Sequence, residues 1–500
     1  MARWSRGTFE VPDVVGYEDY VHSARAFADD LASELPRHEP EPIATFPYPN
    51  PPKTTPRPLT LAGIRDLVLL RAAAGRVVIC TDAILSASVR SCRLDSSQPG
   101  PWRFQDFGPA HATLRQDAVA HLRRTSDAMC RTDVAGYYSS INLGVLAEAL
   151  LSCGCDAAAV GFLMRVIGLW QARHGLRGLP IGPEPCGVLG NALLKPVDDA
   201  IRSVRRTHLR WIDDMFIFGP TIADCEGVVE PVDEALTALG LARAVPKTNL
   251  YGNGDAIGAM QDGVLASLEH DVRFYKALAK ELLHDAFDCY IRGRDDFDVR
   301  RFRWIINTMK NRLDPYAVVA LAEDASAMNK DPRCAGSYIA KVGIGKPRVV
   351  ESIMSKLGQK PDDTTDALDV HLLRAMSSKP PRGRAEGKVF EAIAEDDERR
   401  APVRAWAWQA LGSTPLWKER RAMEAADDER APDVRRAIVV TLRGRSGRSI
   451  AKFLSRVSAP GDAMTRAGNS DAGTRRTGPV VRMTARSIAF ASSRAFPGHA

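Results

Sequence analysis

The sequence predicts an α/β half followed by an all-α half built of helical repeats. Three observations carry this. Up to about residue 260, short apolar runs of strand length alternate with longer amphipathic stretches. Beyond about residue 265 the pattern is helix upon helix, joined by short polar segments. That second half also repeats itself: Asp396-Asp397-Glu398-Arg399 recurs 31 residues on as Asp427-Asp428-Glu429-Arg430, Val403-Arg404 as Val434-Arg435, and Leu411 as Leu442. A period near this length, made of paired helices, is the signature of a solenoid.

The elements follow in order. Residues 15–35 read as one amphipathic helix stopped by Pro36, and the proline-dense stretch 38–58 as extended chain or loops. Leu61 to Ala73 reads as a helix with Ile64, Leu67 and Leu70 on one face. Residues 86–94 and 102–107 flank a Ser-Ser-Gln-Pro-Gly turn, as a β-hairpin would. Helices are expected over 110–126, 143–152, 157–171, 186–205 and 222–239. Strands are expected over 128–134, 207–212, 215–218 and 243–250. Asp314-Pro315 and Asp331-Pro332 each open a further helix, with proline in its first turn.

With 500 residues the chain has room for about three domains, and 45% apolar with 26% charged residues excludes wholesale disorder. No apolar run reaches the roughly 20 residues that span a bilayer, and the first residues lead into no signal-like apolar core. Nine scattered cysteines, an odd number, point to reduced thiols and a cytoplasmic setting. The net charge of +7 sits in the tail. From Arg443 onward 11 Lys and Arg face 2 Asp, leaving the other 442 residues at −2. Overall charge is therefore no argument for a nucleic-acid-binding body.

Seven Asp-Asp pairs occur, and six lie in charged or helical surroundings suited to solvated faces or caps. Asp213-Asp214 differs, with Trp211-Ile212 before it and Met215-Phe216-Ile217-Phe218 after it. Two acids at the bend between apolar strands would stand at the lip of a sheet. Asp133 ends another apolar strand 80 residues earlier. If the strands are neighbours, three carboxylates converge, repel and raise one another's pKa. A divalent cation removes that conflict, and hard oxygen ligands suit Mg²⁺, with Mn²⁺ as the other fitting ion. Two such ions about 3.5–4 Å apart run an in-line phosphoryl displacement.

Five motifs then point to a family. Asp133-Val134-Ala135-Gly136-Tyr137-Tyr138-Ser139-Ser140-Ile141 resembles the first catalytic motif of reverse transcriptases. Gly178-Leu179-Pro180-Ile181-Gly182, followed by Leu189-Gly190-Asn191, is similar to their Leu-Pro-Gln-Gly…Leu-Ala-Asn motif. Arg210-Trp211-Ile212-Asp213-Asp214 resembles their Arg-Tyr-x-Asp-Asp turn, and Lys247-Thr248 sits where the family has a lysine. Pro52-Lys53…Arg57-Pro58-Leu59 resembles the fingers segment of group II intron-type enzymes. The departures are Ile181 for glutamine, Trp211 for tyrosine and Cys186-Gly187 for Ser-Pro. They leave polymerase chemistry intact and bear on substrate choice and templating.

The resemblance implies an α/β right-hand polymerase with fingers, palm and thumb, followed by an all-α, HEAT-like helical-repeat domain. The expected order is a helical extension over 1–45, fingers and palm over 46–260, and a helical thumb over 261–312. The repeats occupy 313–442, and a basic, disordered tail 443–500. By the same resemblance Asp133 and Asp213 hold the metals and Asp214 completes the acidic turn. Tyr138 lies under the sugar and disfavours a 2′-hydroxyl. Lys53 and Arg57 grip the triphosphate, Gly182 lets the backbone approach template or nucleotide, and Lys247 stands near the leaving group. The implied partners are dNTPs and an RNA or DNA template-primer; the repeat pattern allows an assembly surface for self-association, and the hydropathy predicts no membrane.

A polymerase core joined to helical repeats looks like the bacterial abortive-infection and defence-associated reverse transcriptases, some of which prime on protein or work without a template. Tyr251, Tyr275 and Tyr290 fall in or after the thumb region, and packing roles are expected for each. The rival readings are a retron or group II intron-derived enzyme, a non-catalytic RNA-binding scaffold, and a pure helical-repeat adaptor.

Overall fold

The computed structural model describes residues 10–14, 17, 24–51, 55–95, 104–294, 298–360, 365–377, 383–442 and 448–457. Lys53 and nearly all of the basic tail fall outside them. The chain divides into two compact units. One comprises residues 36–46 and 58–269, the other residues 1–35, 47–57 and 270–500. The segment 47–57 thus groups with the C-terminal unit rather than with the rest of the expected fingers.

Six strands are present among the described residues: β1 (Ala44–Tyr48), β2 (Arg57–Leu61), β3 (Ala128–Thr132), β4 (Thr207–Trp211), β5 (Asp214–Gly219) and β6 (Asn249–Gly252). β1 and β2 pair with each other. The other four form one antiparallel sheet in the order β4-β5-β3-β6. Ala128, Cys130, Met215 and Ile217 enter one apolar cluster, with the helices Leu143–Ser152, Ala157–His174 and Pro185–Leu193. Met129, Leu209, Phe216 and Phe218 enter the other, with the helices Phe107–Arg124 and Asn253–Met260. Successive side chains of a strand point to opposite faces. A sheet covered on both sides therefore needs unbroken apolar runs such as Met215–Phe218, not alternation.

Several expectations shift. The proline-dense 38–58 stretch holds β1 and the first two residues of β2, because proline is tolerated at strand ends and edges. The helix begun near Leu61 is longer, Ile64–Ile84. Of the hairpin expected over 86–107, residues 96–103 lie outside the described residues, and among the described ones Leu94 bridges Phe104 while Val89 bridges Arg210. The helix expected over 186–205 is two, Pro185–Leu193 and Lys195–Ser203, since Pro196 removes a backbone donor where they meet. The 222–239 helix likewise divides into Ile222–Glu226 and Val229–Ala238. The expected strand 243–250 becomes a bridge at Arg243, a 3₁₀ turn over Val245–Lys247 and then β6. The first described helix is Ala24–Glu34.

In the C-terminal unit, helices follow in three successive pairs, Pro347–Leu357 and Asp366–Ser377, Arg384–Glu395 and Ala401–Leu411, and Glu419–Asp428 and Pro432–Thr441, and the two members of each of the last two pairs pack on each other. The second helix of each pair packs on the second helix of the next. The repeated sequence positions explain this. Val403 and Val434 are fully buried, as are Leu411 and Leu442, while the repeated acidic runs mark the joints. Asp331 accepts from the Cys334 amide at 2.9 Å and caps the helix Pro332–Tyr338.

Candidate active site

Asp133 follows β3 directly. Its carbonyl accepts from the Ala244 amide at 2.7 Å, and the Ala135 amide donates to Ala242 at 2.8 Å, so the loop before β6 pins it. Trp211 of β4 pairs with Asp214 of β5, leaving Ile212 and Asp213 as a two-residue turn. Because β3 pairs with β5 up to Thr132 and Met215, Asp133 and the turn lie at the same end of adjacent strands. Three acids far apart in sequence thus share one lip of the sheet.

The turn is strained. Ile212 has φ +55°, a left-handed conformation rare for a β-branched residue. Two bonds hold it there: the Ile212 amide donates to Ser91 Oγ at 2.7 Å, and Arg210 Nη1 donates to the Ile212 carbonyl at 2.8 Å. Arg210 is fully buried and makes a two-pronged bond to Asp198 at 2.8 and 2.7 Å. It also donates to Asn191 Oδ1 at 3.0 Å, while His208 contacts Asp198 at 2.9 Å. Burial pushes the Asp198 carboxyl up, but Arg210 and His208 outweigh it and hold it at about 2. Asp198 is therefore a buried counter-ion, not the solvated face expected of its Asp-Asp pair. An acid seven residues past Asn191 of the Leu-Gly-Asn motif was the available signal.

The site's electrostatics show crowding. Burial first, then Asp133 and Asp214, push the Asp213 carboxyl up to about 7. Burial also raises Asp214, with Arg131 acting against it. Arg131 Nη2 lies 3.6 Å from Asp214 Oδ1, and Lys247 Nζ is paired with Asp133 Oδ2. Arg131, two residues before Asp133 on β3, escaped the sequence reading. Its alternation onto the same face as Asp133 was the only signal.

Among the described residues, no set of three or more His, Cys, Asp or Glu side chains is gathered for a metal ion as it stands. Lys247 and Arg131 hold two of the three carboxylates instead. The donor set still suits a hard cation. Asp133 Oδ1 is buried with no hydrogen-bond partner, an acceptor a metal would satisfy.

Tyr138 lies five residues past Asp133, on a helical turn (Tyr137–Ser140) that starts at Gly136, φ +54°. Its ring is half-buried, 5.4 Å from that of Tyr137, whose hydroxyl donates to the Gly190 carbonyl at 2.6 Å. A Cβ on Gly187 would meet Cys92 Sγ at 2.7 Å and stand 3.8 Å from the Tyr138 hydroxyl. The loop 178–182 crosses here: the Leu179 amide donates to the Tyr138 carbonyl at 2.7 Å, and the Thr60 amide to the Ile181 carbonyl at 2.7 Å. Gly182, at φ +125°, has its α-carbon so close to β2 that a Cβ would meet the Thr60 carbonyl at 3.3 Å.

Asp133, Asp213, Asp214 and Lys247 are thus brought together, with Tyr138 and Gly182 on the motifs packed beside them. Arg57 belongs to the other compact unit, where its guanidinium donates to Asn50 at 3.4 Å. Tyr251 is half-buried in β6, and the Tyr290 ring takes the Arg301 guanidinium at 5.2 Å. Tyr275 is exposed beside Phe274 rather than packed as expected.

No protein-family model matches this chain, and no curated protein matches it. Among solved structures it is similar to telomerase from Candida albicans in complex with a fragment of telomeric RNA. The likeness has 10% identity and a TM-score of 0.32, over 76% of this chain and 67% of that one. Similarity at that level carries no assignment. No described helix is long and apolar enough to cross a membrane.

Proposed function

We propose that this chain is a nucleotidyltransferase of the reverse-transcriptase type. The observation that carries the reading is Asp133, directly after β3, standing at the same lip of the sheet as the Asp213-Asp214 turn of the adjacent hairpin. Asp133 and Asp213 hold the divalent ions, and Asp214 completes the acidic lip. When bound, Mg²⁺ activates the attacking hydroxyl and steadies the departing pyrophosphate. The reaction joins a 3′-hydroxyl oxygen, or a protein hydroxyl, to the α-phosphorus of a dNTP. The bond from that phosphorus to the pyrophosphate oxygen breaks, and the hydroxyl proton passes to solvent.

The remaining residues bind and orient. Tyr138 presents its ring to the sugar and Gly182 lets the loop backbone come close, whereas a triphosphate role for Lys53 and Arg57 rests on the resemblance alone. Lys247 releases Asp133 and turns to the leaving pyrophosphate. A role in antiphage defence rests on the resemblance of a polymerase core plus helical repeats to that group, not on geometry.

The carrying test is Asp213→Ala with Asp214→Ala. Mg²⁺-dependent dNTP incorporation should fall to background while the melting temperature holds; unchanged incorporation refutes the site. A second reading has a specific observation behind it. Lys247 on Asp133 and Arg131 on Asp214 neutralise two acids internally, as a non-catalytic nucleic-acid-binding scaffold would allow. Nucleic-acid binding by the wild-type chain with no incorporation in Mg²⁺ or Mn²⁺ favours that scaffold.

A further inference from the structure

Within the C-terminal unit, the segment Glu10-Val11-Pro12-Asp13 lies against the second helices of three successive repeats. His371, on Asp366–Ser377, donates from Nε2 to the Glu10 carbonyl at 2.8 Å. Trp406, on Ala401–Leu411, donates from Nε1 to the Pro12 carbonyl at 2.8 Å. Arg436, on Pro432–Thr441, pairs with the Asp13 carboxylate and lies 5.4 Å from the centre of the Tyr17 ring. All three side chains are buried. The Tyr17 amide closes back on Asp13 Oδ2 at 2.9 Å.

The spacing has a physical basis. An extended chain advances about 7 Å in two residues. Packed helices lie about 8–10 Å apart. The carbonyls of Glu10 and Pro12, two residues apart, keep that spacing, and the third anchor, one residue on, is made side chain to side chain between the Asp13 carboxylate and the Arg436 guanidinium. Two of the three donors read backbone carbonyls and tolerate any side chain. The third reads a carboxylate. Proline costs nothing at position 12, because the groove asks for its carbonyl and not for an N–H.

Arg436 complements the Asp13 carboxylate, although Asp433 on the same helix also stands in electrostatic reach of it. Arg333 and Arg374 stand in electrostatic reach of His371. From Phe9 to Val21 the sequence carries Glu10, Asp13, Glu18 and Asp19 and no Lys or Arg.

We propose that the stacked second helices of the repeats form a peptide-binding groove, occupied in cis by the chain's own Glu10–Asp13 segment. Its ligand class is an acidic peptide whose aspartate meets Arg436, with proline tolerated before it. Such a peptide on another protein enters only by displacing the tethered one, which competes at the high effective concentration of a linked ligand. The groove is independent of the acidic site described above.

The test uses a fluorescent peptide copying residues 8–19. It should bind a chain lacking residues 1–23 saturably, and bind the intact chain at least tenfold more weakly. An Asp13→Asn peptide, or the truncated chain with Arg436→Met, should lose at least tenfold. Equal affinity for intact and truncated chains overturns the proposal, as does absence of binding to a truncated chain that melts cooperatively. Arg436-dependent binding of single-stranded oligo-dT in place of the peptide also overturns it, in favour of a nucleic-acid groove. Should truncation prevent folding, the intact chain with Arg436→Met is read by hydrogen exchange. Amides of Val11, Asp13, Val14 and Tyr17 should exchange at least tenfold faster, with those of 401–411 unchanged; unaltered exchange of these four overturns the proposal.

Discussion

Arg210 donates to the carbonyl of Ile212, two residues ahead on its own chain, at 2.8 Å, and so braces the one left-handed residue of the acidic turn. The brace is anchored from behind by Asp198 and Asn191. A turn conformation that the backbone disfavours by roughly 1–3 kcal/mol persists when its surroundings over-determine it. Here a buried arginine and a serine hydroxyl do so.

Arg210→Met should therefore destabilise the chain by about 3–5 kcal/mol, because it leaves the Asp198 carboxylate buried without its main partner. Denaturant unfolding reads the loss. Arg210→Met with Asp198→Asn should recover part of it, since no buried charge is then stranded. A single variant costing under about 1 kcal/mol would contradict the brace.

Gly178 sits at φ +62° with its α-carbon pressed on the backbone of the Tyr138 turn. A Cβ there would overlap the Tyr138 carbonyl oxygen and come within 2.8 Å of the Ser139 carbonyl carbon. Gly178→Ala should cost about 1–3 kcal/mol and displace the loop. Gly175→Ala is the control, since Gly175 is also left-handed, at φ +65°, but meets nothing within 4 Å. Equal costs for the two would show that strain alone, not the close approach, is at issue.

Tyr138→Ala should relax discrimination against ribonucleotides, by on the order of tenfold, as loss of one shaping contact does. Single-nucleotide incorporation with matched dNTP and rNTP reads the ratio. An unaltered ratio removes Tyr138 from the sugar site.

Acid should unfold the C-terminal unit through His371. Burial first, then Arg374 and Arg333, lower its pKa to about 3, against the opposing Glu10 carbonyl and Asp331. The folded state keeps the ring neutral while the unfolded chain takes a proton below about 6.5. Stability is complete above that pH and is lost as pH falls toward 3, by about 1.4 kcal/mol per unit. Denaturant midpoints between pH 7 and pH 4 measure the slope. His371→Gln should flatten it; an identical slope assigns the acid sensitivity elsewhere.

The order of the acids, the strands they end and the helical repeat were legible in the sequence. Those features are local: an apolar run of four or five residues, a charge doublet at its end, a 31-residue recurrence. Periodicity and turn chemistry act over a few neighbours, so one dimension suffices to see them. The repeated Val403 and Val434 became core positions for the same reason.

Tertiary structure alone decided which charges face which. Arg131 opposes Asp214 because β3 and β5 run side by side. Asp198 is a counter-ion because Arg210 is buried next to it, although its sequence context matches that of solvated pairs. Glu10, Pro12 and Asp13 meet His371, Trp406 and Arg436 across more than 350 residues of chain. Coulomb and hydrogen-bond energies depend on distance through space, and the chain's own order carries no record of that distance until it folds.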